Sequence, residues 1–154
     1  MITTLDKRRN QMSHSQISRG ACLCGDVEFN ATMPTMFCAH CHCTMCQRAH
    51  GAAYVTWFAI PYSQFELIDP NSQLAVFKSS DHGKRSFCSK CGSTLFCEST
   101  SHPDHIDIVL ANMKNPIDRE PKSHIYFSDK AEWNSVNDPL KKLGGPSGVD
   151  PLDA

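Results

Sequence analysis

The sequence predicts a mainly β domain of short antiparallel strands with one short helix. The main evidence is a series of short runs, rich in β-branched and aromatic residues, of the kind that form half-buried strands. Glycine, proline, asparagine and aspartate fill the gaps between these runs, as is typical of turns. We expect seven or eight strands, drawn from residues 27–31, 52–60, 65–68, 74–77, 93–97, 105–111 and 123–127.

One helix is expected near residues 44–49, where Gly51 would end it. Residues 1–17 are polar and predict a flexible N-terminal tail. Residues 135–154 are rich in proline and glycine, which predicts a C-terminal tail that wraps along the domain. The ordered domain is therefore expected over residues 18–134.

The composition excludes several kinds of partner. Fifteen basic and sixteen acidic residues give a net charge of -1, so neither nucleic acid nor an acidic membrane surface is expected to bind. No apolar run approaches the roughly 20 residues needed to span a bilayer. Nine cysteines cannot all pair as disulfides, and the chain opens without an apolar secretory run. A cytoplasmic location is expected, where clustered cysteines favour metal binding over disulfides.

Two cysteine pairs predict a closed metal site. Cys22 and Cys24 are two apart, so both thiolates face one side of an extended chain. Cys88 and Cys91 are three apart in a turn, and each pair is followed by a glycine. Four thiolates complete the tetrahedron that zinc prefers and leave no open coordination position. This first site is therefore expected to be structural.

A second cysteine group lies in CAHCHCTMC, residues 38–46. Cys41 and Cys43 share one side of an extended segment, and Cys46 comes close as the chain turns into the helix. Three thiolates would leave one position open for chemistry, whereas Cys38 as a fourth ligand would close the site. His40 and His42 are expected to point away from the sulfurs, so exposure or a hydrogen bond behind the ligands is favoured over metal binding. Cys97 is expected on the face of Leu95, in the core rather than near a metal.

Together these groups resemble the glutathione-dependent formaldehyde-activating enzyme family, also called the CENP-V/GFA domain. The matching pieces are GACLCGDVEF (20–29), CHCTMCQR (41–48) and FCSKCG (87–92). The resemblance implies a β-tent of short sheets clasped by two zinc ions per chain. It implies that Cys22, Cys24, Cys88 and Cys91 hold the structural zinc, and that Cys41, Cys43 and Cys46 hold the catalytic one.

The resemblance also implies a reaction, the addition of glutathione to formaldehyde to give S-hydroxymethylglutathione, which is carbon–sulfur lyase chemistry. Positive groups should offset the charge of three thiolates and receive the carboxylates of glutathione. Arg48 and His82 are the expected substrate residues, with His82 as a proton carrier. For Lys84 and Arg85 an exposed turn is favoured over a substrate role.

Two questions stay open at this point. The alternative to an enzyme that adds glutathione, or another small thiol, to a small aldehyde is a non-catalytic, zinc-stapled module that binds glutathione or a protein. The sequence also leaves open whether the chain forms a homo-oligomer.

Overall fold

A computed structural model describes residues 15–152, and its architecture is mainly β, as predicted. It contains twelve strands and one α-helix, α1, which spans Thr44–His50. The helix ends at Gly51, whose φ of 60° is the left-handed conformation that glycine adopts without strain. The strands are β1 Ile17–Ala21, β2 Glu28–Thr32, β3 Phe37–Cys41, β4 Val55–Pro61, β5 Phe65–Ile68, β6 Leu74–Lys78, β7 Gly83–Cys88, β8 Thr94–Ser99, β9 His102–Val109, β10 Ser123–Ile125, β11 Lys141–Gly144 and β12 Asp150–Pro151.

The strands form two sheets. The smaller sheet has three strands in the order β1-β2-β5, and the larger has nine in the order β12-β11-β10-β3-β4-β9-β8-β7-β6. Most neighbours are antiparallel, but β10 pairs in parallel with both β3 and β11. Short 3-10 turns follow β4, β9 and β10. Within the described residues, no helix is long and apolar enough to cross a membrane.

The main core lies between the two sheets. Phe29 of β2 is fully buried, and its ring meets that of Phe96 of β8 edge-on at 5.0 Å between centroids. Phe58 and Ile60 of β4 belong to the same cluster. Val55 and Trp57, on the other face of β4, join a smaller cluster with Cys41 and Cys46. The CAHCHCTMC segment contains most of β3, and the two faces of that strand contribute to the two different clusters.

Five strands lie outside the runs that the sequence marks as strands: β1, β3, β7, β11 and β12. Most of their side chains are polar, small or cysteine, so their hydrophobic signal is weak. Backbone pairing with neighbouring strands supplies what composition does not indicate. The described part of the predicted C-terminal tail contributes β11 and β12, which extend the large sheet beyond β10. The predicted N-terminal tail falls outside the described residues except for its last three.

Candidate metal centres

The first centre joins two turns from distant parts of the chain. The Sγ atoms of Cys22, Cys24, Cys88 and Cys91 all lie within 4.8 Å of one another. Cys22 and Cys24 are 3.5 Å apart, and Cys24 and Cys88 are 3.8 Å apart. A tetrahedron with Zn–S bonds of about 2.3 Å has sulfur–sulfur edges of roughly 3.8 Å. The four residues therefore fit one zinc ion and would occupy all four of its coordination positions.

Matching local geometry holds the two halves of this centre. Gly25 and Gly92 each follow a cysteine with φ values of 82° and 78°. Each glycine donates its backbone N–H to the carbonyl oxygen of the first cysteine of its pair, Gly25 to Cys22 and Gly92 to Cys88. A salt bridge of 2.7 Å between Lys90 and Asp26 ties the two turns together at the surface. The predicted pairing of a Cys-x-Cys turn with a Cys-x-x-Cys turn thus has a clear backbone basis.

The second centre is formed by Cys41, Cys43 and Cys46, whose Sγ atoms also lie within 4.8 Å of one another. Cys41 ends β3, Cys43 is the N-cap of α1, and Cys46 lies in the first turn of that helix. The Cys43 sulfur accepts a hydrogen bond from the backbone N–H of Cys46 at 3.2 Å. The three thiols therefore converge at a helix start that their own sulfur helps to cap.

Proximity of the three sulfurs separates their acidities. Hydrogen bonds from Cys41 and Cys46 lower the pKa of Cys43. The pKa of Cys41 is raised by the hydrogen bonds that Cys41 forms with Cys43 and Cys46. Three sulfur donors fit a metal ion with one coordination position left for another ligand. That position can face a cavity of about 370 Å³, which all three cysteines line.

Cys38 does not belong to this cluster. It lies on the face of β3 opposite Cys41 and is buried in the main core with Phe58 and Ile60. Burial raises the pKa of Cys38 to about 11, so its thiol stays protonated at neutral pH. The structure therefore leaves the three-cysteine centre open rather than closed.

We expect Cys38→Ser to keep the full metal content of the wild type. The hydroxyl would be buried among apolar side chains, so stability should fall by about 1–3 kcal/mol. Metal analysis and thermal unfolding of fresh, reduced protein would measure the two effects. A loss of metal in this variant would show that Cys38 is a ligand after all.

The histidines lie behind the cysteines, as expected. His40 Nδ1 is 2.8 Å from the Thr56 hydroxyl. His42 is fully buried, and its Nε2 is 2.8 Å from Nδ1 of His124. His124 in turn places Nε2 at 2.9 Å from the carboxylate of Asp138. Burial lowers the pKa of His42 to about 4, so the ring is neutral at pH 7. This His42–His124–Asp138 chain links the segment between β10 and β11 to the connection between β3 and α1, where His42 lies between Cys41 and Cys43.

The prediction that Arg85 favours an exposed turn is wrong, because the residue lies in β7 and is only 7% exposed. Its Nη2 donates to Cys46 Sγ at 3.5 Å. Burial lowers the pKa of Arg85, but the neighbouring sulfurs of Cys46, Cys97 and Cys43 raise it, and the net shift is upward. Arg85 thus places a permanent positive charge against the cluster. The sequence of β7, GKRSFC, has too few apolar residues to predict a strand.

Cys97 also departs from expectation. Residue pairing between β7 and β8 shifts so that Phe87 faces Thr94 while Ser86 faces Phe96, which leaves Leu95 without a partner. This irregularity breaks the alternation of side chains along β8. Leu95 packs into the main core, whereas Cys97 lines the cavity of the three-cysteine centre. Burial raises the pKa of Cys97 to about 11.

Neither predicted substrate residue lines the cavity of the three-cysteine centre. Arg48 is exposed on α1 and lines a shallow neighbouring cavity with Arg85. His82 is exposed between β6 and β7 and lines another cavity, of about 540 Å³. That cavity shares Gly83, Glu98 and two serines with the cysteine cavity, so the two spaces adjoin.

The protein is therefore a β fold with one closed group of four cysteines and one open group of three, and each group could hold a metal ion. The model of the glutathione-dependent formaldehyde-activating enzyme family matches residues 17–129. The chain belongs to this family, as its cysteine motifs predict.

Relatives agree with this assignment at low identity. A protein of Halomonas elongata named "Putative glutathione-dependent formaldehyde-activating enzyme" is 21% identical over 124 residues, which cover 76% of this chain and 79% of that one. An uncharacterized lyase of Schizosaccharomyces pombe is 26% identical over 139 residues, covering 80% and 95%. The crystal structure of a Rhodobacter sphaeroides protein superimposes with a TM-score of 0.54 at 23% identity, covering 66% of this chain and 92% of that one. This last likeness shows the fold.

Proposed function

We propose that the protein is a zinc-dependent carbon–sulfur lyase that adds the thiol of glutathione to formaldehyde, giving S-hydroxymethylglutathione. The observation that carries the proposal is a cluster of three thiols that opens into a cavity and has a buried arginine against it. A closed four-cysteine site stabilises a fold, whereas an open three-cysteine site has room for a reacting thiol. Family membership supports the choice of glutathione and formaldehyde.

Seven cysteines are proposed to hold two zinc ions. Cys22, Cys24, Cys88 and Cys91 would hold the structural ion, while Cys41, Cys43 and Cys46 would hold the ion next to the reaction. Bound zinc lowers the pKa of a thiol, so that it is a nucleophilic thiolate at neutral pH. Because three thiolates outweigh the charge of one Zn²⁺, the Arg85 cation would keep this centre near neutrality.

The outer ends of glutathione are proposed to lie outside the cysteine cavity. Arg48 and His82 are exposed, line cavities that share residues with it, and would receive the carboxylates of the tripeptide. The adjoining cavity beside His82 gives an extended ligand a continuous path from the surface to the three cysteines. All nine cysteines are free, which supports a reducing compartment such as the cytoplasm.

The variant Cys43→Ser tests this proposal. It should lower the zinc content by one ion per chain and abolish the rate of S-hydroxymethylglutathione formation above the spontaneous rate. The first centre should keep its zinc, because none of its ligands is changed. Zinc analysis and ¹³C NMR with labelled formaldehyde would follow both quantities.

Wild-type protein with two zinc ions provides the comparison. If it gave no excess rate, the lyase proposal would fail for this substrate pair. Glutathione binding without an excess rate would then favour a non-catalytic binding module. An active Cys43→Ser variant would move the reaction away from the three-cysteine centre.

A further inference from the structure

Three side chains form a row across the floor of the cysteine cavity. Arg85 of β7 lies directly opposite Cys97 of β8, which lies directly opposite Asp107 of β9. All three line the cavity that also holds the sulfurs of the second centre. Neighbouring strands are about 4.8 Å apart, so Arg85 and Asp107 are separated by roughly 10 Å at the backbone. Within the described residues these two charged groups form no ion pair with each other.

Both ends of this row carry buried polar atoms that form no hydrogen bond among the described residues. Nε and Nη1 of Arg85 are buried without a hydrogen bond among the described residues, and so is Oδ1 of Asp107. Only Nη2 of Arg85 is occupied, by the Cys46 sulfur. Buried polar groups normally form hydrogen bonds, so free donors and a free acceptor around one cavity indicate a ligand that supplies these bonds. Such a ligand accepts hydrogen bonds from Arg85 and donates one to Asp107.

The surroundings of Asp107 suit proton exchange. On its own strand, His105 Nε2 is 3.7 Å from Oδ1 and His102 lies further out. From β8 it faces the Cys97 thiol, from β7 the Arg85 cation, and from β4 the methyl group of Ala59. Burial raises the pKa of Asp107 to about 6, against the opposite effect of His105, His102 and Arg85. A group with this pKa can both take and return a proton near neutral pH. Cys97 cannot share that role, since its thiol stays protonated.

We propose that Asp107 carries the proton and that Arg85 binds the aldehyde oxygen during the addition of a thiol to an aldehyde. The inference rests on the proposed function and names two catalytic residues within it. The Asp107 carboxylate takes the proton of the incoming S–H group. The sulfur electron pair then forms the carbon–sulfur bond, and the π pair of the C=O bond moves to oxygen.

Arg85 donates hydrogen bonds to this oxygen as its negative charge develops. Asp107 then returns the proton to the same oxygen, which yields the hydroxyl group of the adduct and regenerates the carboxylate. Atoms and charge balance, and the cycle needs no oxidant or reductant. In the reverse direction the same two groups would release the thiol and the aldehyde.

The variant Asp107→Asn tests the proton role, because the amide keeps the shape of the side chain but cannot carry a proton. The excess rate of the zinc-loaded enzyme should fall at least about 10²-fold. In the wild type, kcat/KM above the spontaneous reaction should fall as the pH drops through about 6, because protonated Asp107 cannot accept the thiol proton. Asp107→Asn should lack this limb. Glu120→Gln makes the same carboxylate-to-amide change at an exposed residue that does not line the cysteine cavity, and this control should behave as the wild type.

A second readout does not depend on turnover. Calorimetry of glutathione binding in buffers of different ionisation enthalpy counts the protons released. At pH 7.5 Asp107→Asn should release roughly one proton per glutathione. The wild type should release fewer, because the negative charge of the bound thiolate raises the proton affinity of the Asp107 carboxylate. If Asp107→Asn does not fold, Asp107→Glu serves instead, with an acidic limb displaced from that of the wild type.

The outcomes separate the two levels of the proposal. An active wild type with equal proton counts and equal pH profiles for Asp107→Asn would overturn the role of Asp107 and leave the lyase proposal standing. A wild type that neither binds glutathione nor exceeds the spontaneous rate would overturn both.

Discussion

Cys88→Ser is expected to remove one zinc ion per chain and to unfold the domain. Cys88 is fully buried at the end of β7, and its sulfur is 3.8 Å from that of Cys24, 64 positions earlier in the chain. The four-cysteine centre thus joins the end of strand β7, in the nine-stranded sheet, to the turn after β1 in the smaller sheet. Structural zinc contributes about 10–16 kcal/mol of apparent binding free energy in small zinc domains, whereas whole domains are stable by about 5–15 kcal/mol. Losing this ion therefore removes a free energy comparable to the entire stability.

Metal analysis, circular dichroism and thermal unfolding would measure the effect of Cys88→Ser. Cys97→Ser makes the same chemical change at a cysteine outside both metal clusters, so this control should keep both zinc ions and the wild-type fold. A Cys88→Ser protein with two zinc ions and an unchanged melting temperature would contradict a structural role for the centre.

Arg85→Lys should lower the excess rate about 10²- to 10³-fold while leaving the zinc content unchanged, as expected when a donor to a developing oxyanion is lost. Lysine keeps the positive charge beside Cys46. The guanidinium can donate to the Cys46 sulfur through Nη2 while Nε and Nη1 donate to a second acceptor. The single ammonium group of lysine cannot reproduce this geometry. The loss should appear in kcat, because the second acceptor gains its charge only as the reaction proceeds.

Steady-state kinetics above the spontaneous rate would measure the effect of Arg85→Lys. The matched control is Arg119→Lys, which changes a guanidinium that donates to Thr35 and does not line the cysteine cavity. An unchanged kcat in Arg85→Lys, with normal activity in the control, would remove Arg85 from the reaction and leave it a structural counter-charge.

The cysteine clusters could be predicted from the sequence because their geometry is local. Spacings of two and three residues, each followed by a turn, bring sulfurs together whatever surrounds them. Only the join between Cys24 and Cys88 is distant, and it follows from the need for four ligands. The same local logic predicts that His40 and His42 point away from the sulfurs, since alternation along β3 is preserved.

The remainder of the candidate site depends on pairing between strands. Arg85, Cys97 and Asp107 are far apart in sequence, and they form a row only because β7, β8 and β9 are neighbours in a particular register. One irregular position beside Leu95 reverses the face on which Cys97 lies. Nothing in the local residue pattern encodes this register, so the polar floor of the cavity could not be read from the sequence.

The His42–His124–Asp138 chain has a consequence for how such proteins diverge. The match to the family model ends at residue 129, whereas Asp138 lies beyond that match and reaches, through His124, the histidine between Cys41 and Cys43. The cysteines of the second centre and one member of the chain that supports them therefore lie in different parts of the sequence. Two relatives with identical cysteines can therefore differ in how rigidly this segment is held. A comparison of the cysteines alone would treat two such sites as equivalent.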